Sequence, residues 1–226
     1  MRKLIVRLLI VPLVLAVCSG CAIDVGLQPP SAAEHYMLAV STESPAQTAM
    51  HAVPTVSVGR PQANAFLNST GIAVLQPNQQ VLYYAKGQWA TVLPEMMQTA
   101  AIHSLNSTQL VRSFNNTQSG IAADYKLVWS IEDFYARYAG KKYPPQIYVT
   151  FNCWLIDTDK ALEPVASSVF AGNEIASGQG LVPIVESFNR TVKTILNDMN
   201  AWVTCTIERQ QLNKQMHSTV SNTGGN

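Results

Sequence analysis

Charge is scarce in this 226-residue chain. Asp, Glu, Lys and Arg make up 13% of it, as 15 basic and 14 acidic residues, and the formal net charge is +1. Nothing supplies the basic excess needed to neutralise phosphates, which speaks against nucleic-acid binding. Apolar residues reach 47%, too many for an intrinsically disordered chain. Cysteine is also sparse: four in this length cannot build a disulfide-stapled miniature fold. No apolar run reaches the roughly 20 residues of a spanning helix.

Signatures of chemistry are missing too. His35, His51, His103 and His217 stand at no metal-ligand spacing from one another or from Cys or acidic partners. There is no phosphate-cradling glycine loop followed by Lys-Ser/Thr, and no G-x-S-x-G nucleophile elbow. The acids Glu132-Asp133 and Asp157/Asp159 sit at strand ends, where solvated carboxylates are ordinary. Cys153 and Cys205 stand in no C-x-x-C context that would suggest redox work. An enzyme, a metal site and a bound cofactor all lack support in the sequence. Four N-x-S/T triplets, at Asn68, Asn106, Asn115 and Asn189, read as chance matches in an Asn/Ser/Thr-rich chain.

What is present begins at the N-terminus. Arg2, Lys3 and Arg7 precede an apolar stretch from Leu8 to Val17, broken only by Pro12, and the first acid is Asp24. This is the three-part layout of an export signal, expected over residues 1–20. The tetrad Cys18-Ser19-Gly20-Cys21 resembles a bacterial lipobox. In that class the final cysteine is acylated and becomes the first residue of the mature protein. Cys21 is therefore the expected lipidation site, and Cys18 leaves with the signal. Ala22 after it, rather than Asp, implies sorting to the outer membrane. Acyl chains on both the thiol and the amine make a stable anchor.

Loss of the three leader cations leaves twelve basic residues against 14 acids, a formal side-chain charge of −2. Cys153 and Cys205 are then the remaining thiols, in an oxidising compartment. A bridge between them and two separate thiols are equally compatible with the sequence. Residues 21–34, with Pro29-Pro30, read as a lipidated tether. Residues 35–208 read as the folded domain. Residues 209–226 are polar and are expected to fray.

Inside the domain the period of the apolar residues alternates between two and 3.6. Strands are expected at 35–42, 55–60, 71–75, 81–85 and 110–114, with Gly87 breaking the fourth. From Trp89 the period changes, and Leu93, Met97, Ala100, Ala101 and Leu105 form one helical face ending at Asn106-Ser107. Tyr125–Phe134, Gln146–Asp157 and Val165–Ile175 alternate as three strands of an antiparallel meander. A long helix over 182–208 carries the stripe Val185, Phe188, Val192, Ile195, Met199 and Trp202. The economical arrangement is α+β: a two-layer sandwich of a largely antiparallel sheet with two main helices on one face.

The order of these pieces carries a resemblance. Ile72-Ala73-Val74, a polar turn, Tyr83-Tyr84-Ala85, Trp89-Ala90, Leu93-Pro94 and a helix follow one another. Downstream come the strand 125–134 with its acidic-aromatic end, the strand closing on Leu155-Ile156-Asp157, and a helix with Phe188 and Ala201-Trp202. Over residues 36 to 203 the chain resembles the ABC-type transport auxiliary lipoproteins, the PqiC/YmbA-like family. The resemblance implies a compact domain like the TolB N-terminal domain. It also implies a non-enzymatic accessory protein of a lipid-transport system, lipid-anchored at the outer membrane and facing the periplasm. The implied partners are MCE-domain (mammalian cell entry) or other ABC-transport-system proteins. Tyr83, Tyr84 and Trp89 are candidate interface or packing aromatics. Two alternatives stay open: a lipoprotein that itself binds lipid or another small apolar ligand, and a structural lipoprotein that self-associates as a homo-oligomer.

Overall fold

The computed structural model describes residues 33–39, 53–115, 122–140, 142–159 and 164–223, with backbone alone for 217–223. The expected signal peptide, Cys21 and most of the tether lie outside the described residues. In chain order the elements are β1 (Glu34–Tyr36), β2 (Thr55–Val58), β3 (Gln62–Ala63), β4 (Gly71–Leu75), β5 (Val81–Trp89), helix α1 (Leu93–Ser107), β6 (Arg112–Asn115), β7 (Tyr125–Arg137), β8 (Gln146–Asp157), β9 (Pro164–Ile175) and helix α2 (Leu181–Thr223). They form an α+β fold with one mixed sheet.

Strand β7 is the axis of that sheet. Tyr125, Leu127, Trp129 and Ile131 alternate inward; after a bulge between Ile131 and Asp133, Phe134 and Ala136 resume the buried face. One edge pairs antiparallel with β8 along its whole length, and β9 pairs antiparallel beyond it. The expected meander is therefore present. The other edge is filled by three short strands in succession, β2, β3 and β4, each parallel to β7. β4 turns into the antiparallel β5, which β1 joins in parallel; β6 flanks β2. The longest ladders are antiparallel and the parallel pairings are short.

Both helices cover the same face. In α1 the five residues of the expected stripe are buried. Its first turn carries Pro94 and Glu95, and the Leu93 N–H donates to Ser69 O at 3.0 Å. Asn106 closes the other end: its Oδ1 accepts the Ser113 N–H at 2.7 Å and its Nδ2 donates to Ser113 O at 3.0 Å. In α2, Val185, Phe188, Val192, Ile195, Met199 and Val203 are buried, with Trp202 half-buried against Phe170. Asn200 Nδ2 donates to Ser104 O and Oγ, at 3.0 and 2.8 Å, and links the two helices.

Two expectations change. β5 does not stop at Gly87 but runs on to Trp89 across an irregular stretch, Ala73 pairing with Tyr83 and Gly71 with Gln88. A Cβ at Gly87 would lie 2.0 Å from Leu181 Cδ2, so the glycine admits the first turn of α2 rather than ending the strand. The polar stretch after Glu208 continues as helix to Thr223. Neither Gly nor Pro interrupts it there, and Lys214 pins it to the sheet. The side chain of Asp157, at the end of β8, is fully buried; Lys214 Nζ lies 3.2 Å from its Oδ2 and 3.5 Å from Asp159 Oδ2.

Of the two alternatives left open for the cysteines, the structure has the separate thiols: Cys153 and Cys205 are not bridged. Cys153 points from β8 into the core, with its Sγ 3.9 Å from Met199 Sδ. Cys205 lies six positions after Met199 on α2, a rotation of about 240° at 3.6 residues per turn, and is exposed. Burial pushes the Cys153 thiol up to about 12.

Two predictions follow from this packing. Lys214→Met leaves a buried carboxylate without its counter-charge. Because the ammonium is half in water, the loss in urea unfolding is about 1–3 kcal/mol. Hydrogen bonding to Asp157 raises the Lys214 pKa above the ordinary lysine value. The contribution is thus complete below the normal lysine range, and it disappears as pH rises through the raised value. Separately, a form with Cys21→Ser, beginning at residue 21, titrates one thiol with an aromatic disulfide reagent at neutral pH and two after unfolding.

Candidate docking surfaces

The three singled-out aromatics have three different environments. Trp89 is a core residue, 1% exposed. It meets Phe134 edge-on at 5.9 Å and Phe188 edge-on at 5.6 Å, while Phe134 and Phe188 stack at 4.8 Å and 5°. This trio clamps β5, β7 and α2 together, so Trp89 is a packing residue. Tyr84 is half-buried and shares a hydrogen bond of 2.7 Å with the Tyr138 hydroxyl. Burial first, and that hydrogen bond second, raise its phenol well above the ordinary tyrosine value. It is a neutral strut between the β4–β5 hairpin and the chain after β7.

Tyr83 alone of the three stays at the surface, 46% exposed. Its hydroxyl donates to Phe66 O at 2.8 Å, and its ring covers Gly71, where a Cβ would fall 2.3 Å from Tyr83 Cδ1. Val81 and Leu82 beside it are exposed as well. The turn before them is closed by the Gln79 N–H to Gln76 O and the Gln76 N–H to Gln80 O, both at 2.9 Å, with Gln79 at φ 65°. That is a type I turn followed by a left-handed residue, a common hairpin connection.

A second surface was not singled out from the sequence. The helices cover one face of β7–β8–β9, and no described element covers the other. In register on that open face lie Val128, Trp154 and Ser167, then Ser130, Asn152 and Val169, then Tyr135, Tyr148 and Asn173. Trp154 is 37% and Val169 64% exposed. The Tyr135 and Tyr148 rings lie 5.6 Å apart, tilted by 30°. A signal existed in the sequence: Trp154 and Ile156 stand out of phase with Ile147, Val149, Phe151, Cys153 and Leu155. Strands whose polar face carries Trp and Ile depart from a plain water-facing alternation.

Neither surface gathers catalytic or metal-binding groups. Among the described residues no cluster of three or more His, Cys, Asp or Glu is placed to hold a metal ion. No helix among them is long and apolar enough to cross a membrane. The chemistry available is apolar contact and hydrogen bonding over a rigid sheet. The environments of the aromatics separate their roles. Trp89→Ala costs about 3–5 kcal/mol in equilibrium unfolding, whereas Tyr83→Ala costs about 1 kcal/mol, the scale of one hydrogen bond.

No curated protein matches this sequence. Among solved structures, a Xanthomonas campestris protein of the DUF330 family superposes with a TM-score of 0.65 at 19% identity, covering 80% of this chain and 97% of that one. An uncharacterised protein superposes with a TM-score of 0.59 at 14% identity, covering 76% and 99%. At such identities the likeness is one of fold. The sequence itself matches the family model described as ABC-type transport auxiliary lipoprotein component over residues 36–200. That span runs from the end of β1 well into α2, and so the chain belongs to the ABC-type transport auxiliary lipoprotein family.

Proposed function

We propose that this protein is a lipid-anchored accessory component of an MCE/ABC-type intermembrane lipid-transport system. The observation that carries the reading is the family match over residues 36–200. The family is described as an auxiliary lipoprotein component of ABC-type transport systems. In the proposal, Cys21 bears the lipid and the domain faces the periplasm from the outer membrane. Tethering raises its effective concentration toward a partner that reaches the same membrane. The partner, an MCE-domain or other transport-system protein, docks on the open sheet face around Trp154 and Val169.

Physical chemistry supports that choice of face. An interface core is apolar and aromatic with few charges, and Trp is among the residue types that dominate binding energy. Trp154, Val128 and Val169 meet that description on strands whose backbone is held by long ladders. The docking residues are therefore rigid before binding, which lowers the ordering cost. A net side-chain charge near −2 leaves little for long-range electrostatic steering, so contact area rather than charge carries affinity.

Affinity capture of the full lipidated protein from cross-linked envelopes in mild detergent tests this. The expected result is recovery of an MCE-domain or ABC-transporter component. The double variant Trp154→Ala, Val169→Asp should reduce that recovery at least about tenfold, the effect of losing one hot spot of about 1.4 kcal/mol or more. Recovery of the intact lipoprotein with no transport component overturns the reading.

A further inference from the structure

The strand registers define a single edge-to-edge row across one end of the sheet: Val81, Leu75, Arg137, Gln146 and Ile175. Three connections project beyond it, at 76–80, 138–145 and 176–180. Exposed large apolar side chains gather here: Val81, Leu82 and Tyr83 on the hairpin, Tyr143 in the second connection, Ile175 at the end of β9 and Val182 at the start of α2. None of the three connections contains an acid, and the second contains Lys141 and Lys142. Exposed Arg137 and Lys142 accompany the apolar groups, and Glu174, one register step from the row, is paired with Arg190. At the opposite end of the sheet Asp124, Asp157 and Asp159 lie with Arg112 and with Lys214, which pairs with both Asp157 and Asp159.

The direction of the first strand adds an independent fact. β1 is parallel to β5 and so antiparallel to β4, pairing Glu34 with Gly87 and Tyr36 with Trp89. Glu34 is therefore nearer the Val81–Ile175 row than Tyr36 is. β1 therefore runs away from that row.

We infer that this end of the sheet rests on the phospholipid surface. The inference builds on the proposal that Cys21 carries the lipid. Twelve residues separate Cys21 from Glu34, a reach of at most about 40 Å, and the first residue of β1 is its end nearer the row. A mixture of Tyr, aliphatic side chains and Lys/Arg on connections without acids, with the adjacent Glu174 paired to Arg190, is the pattern of a membrane–water interface. It differs from a protein interface core, where Lys is depleted. Arg137 and Lys142 meet anionic headgroups while Leu82 and Tyr143 enter the interfacial layer. This seating also leaves the open face with Trp154 and Val169 clear of the bilayer.

The test uses the full lipidated protein with Cys205→Ser, floated with vesicles of phosphatidylethanolamine and phosphatidylglycerol. A nitrobenzoxadiazole label is placed either at Leu82→Cys or, on the open face, at Ser167→Cys. Expected are a blue-shifted emission at position 82 and at least twofold quenching by doxyl-labelled phospholipid there, with neither at position 167. The added pair Arg137→Glu and Lys142→Glu should at least halve the quenching. A protein that floats while its position-82 label stays solvent-like overturns the inference alone. A blue shift without doxyl quenching also overturns it, in favour of a protein covering the hairpin. A protein that does not float overturns the anchoring proposal beneath it.

Discussion

The structure depends on strand β7 pairing along both edges. One edge carries a single long partner, β8; the other is divided among β2, β3 and β4. Each of these short strands would be unstable alone, and each gains its ladder from a strand already held on its far side. The bulge after Ile131 lets the buried face of β7 resume at Phe134. There Phe134 stacks on Phe188 while Trp89 meets both rings edge-on. Sheet, hairpin and second helix are joined at that point.

Closing one face with both helices leaves the other face as the larger resource. Apolar side chains remain on it because β7, β8 and β9 are fixed from behind. The two ends of the sheet also differ. One collects short connections free of acids, and the other holds the buried Asp157 with Lys214 across from it.

The helices and the meander were legible in the sequence because their buried residues recur at a clean period. Leu93, Met97, Ala100, Ala101 and Leu105 could lie on one face only of a helix. The strands 125–134 and 146–157 could alternate only one way. Gly87 misled because a glycine in a strand pattern reads equally as a stop or as a site of close approach, and Leu181, which makes the difference, is more than 90 residues away. β3 was missed because two residues carry no period. The polar stretch after Glu208 was misjudged because its anchor, Asp157, lies on another strand. Of the candidate aromatics, spacing could not separate the buried Trp89 from the exposed Tyr83. Both alternate along one strand, and only the position of Phe188 settles which is covered.

By itself the sequence determined the number and kind of the main elements, the absence of clustered catalytic motifs and the family. These follow from local periodicity and from the order of short patterns, which need no knowledge of distant neighbours. Tertiary structure alone decided that five of the sheet pairings are parallel, that Cys153 and Cys205 face apart, and that Trp154 remains at a surface. It also decided that the acid-free connections meet at one end. Each of these depends on which residues distant in sequence become neighbours. That choice is made by strand register and by the burial of a shared face, and neither is encoded in any single segment.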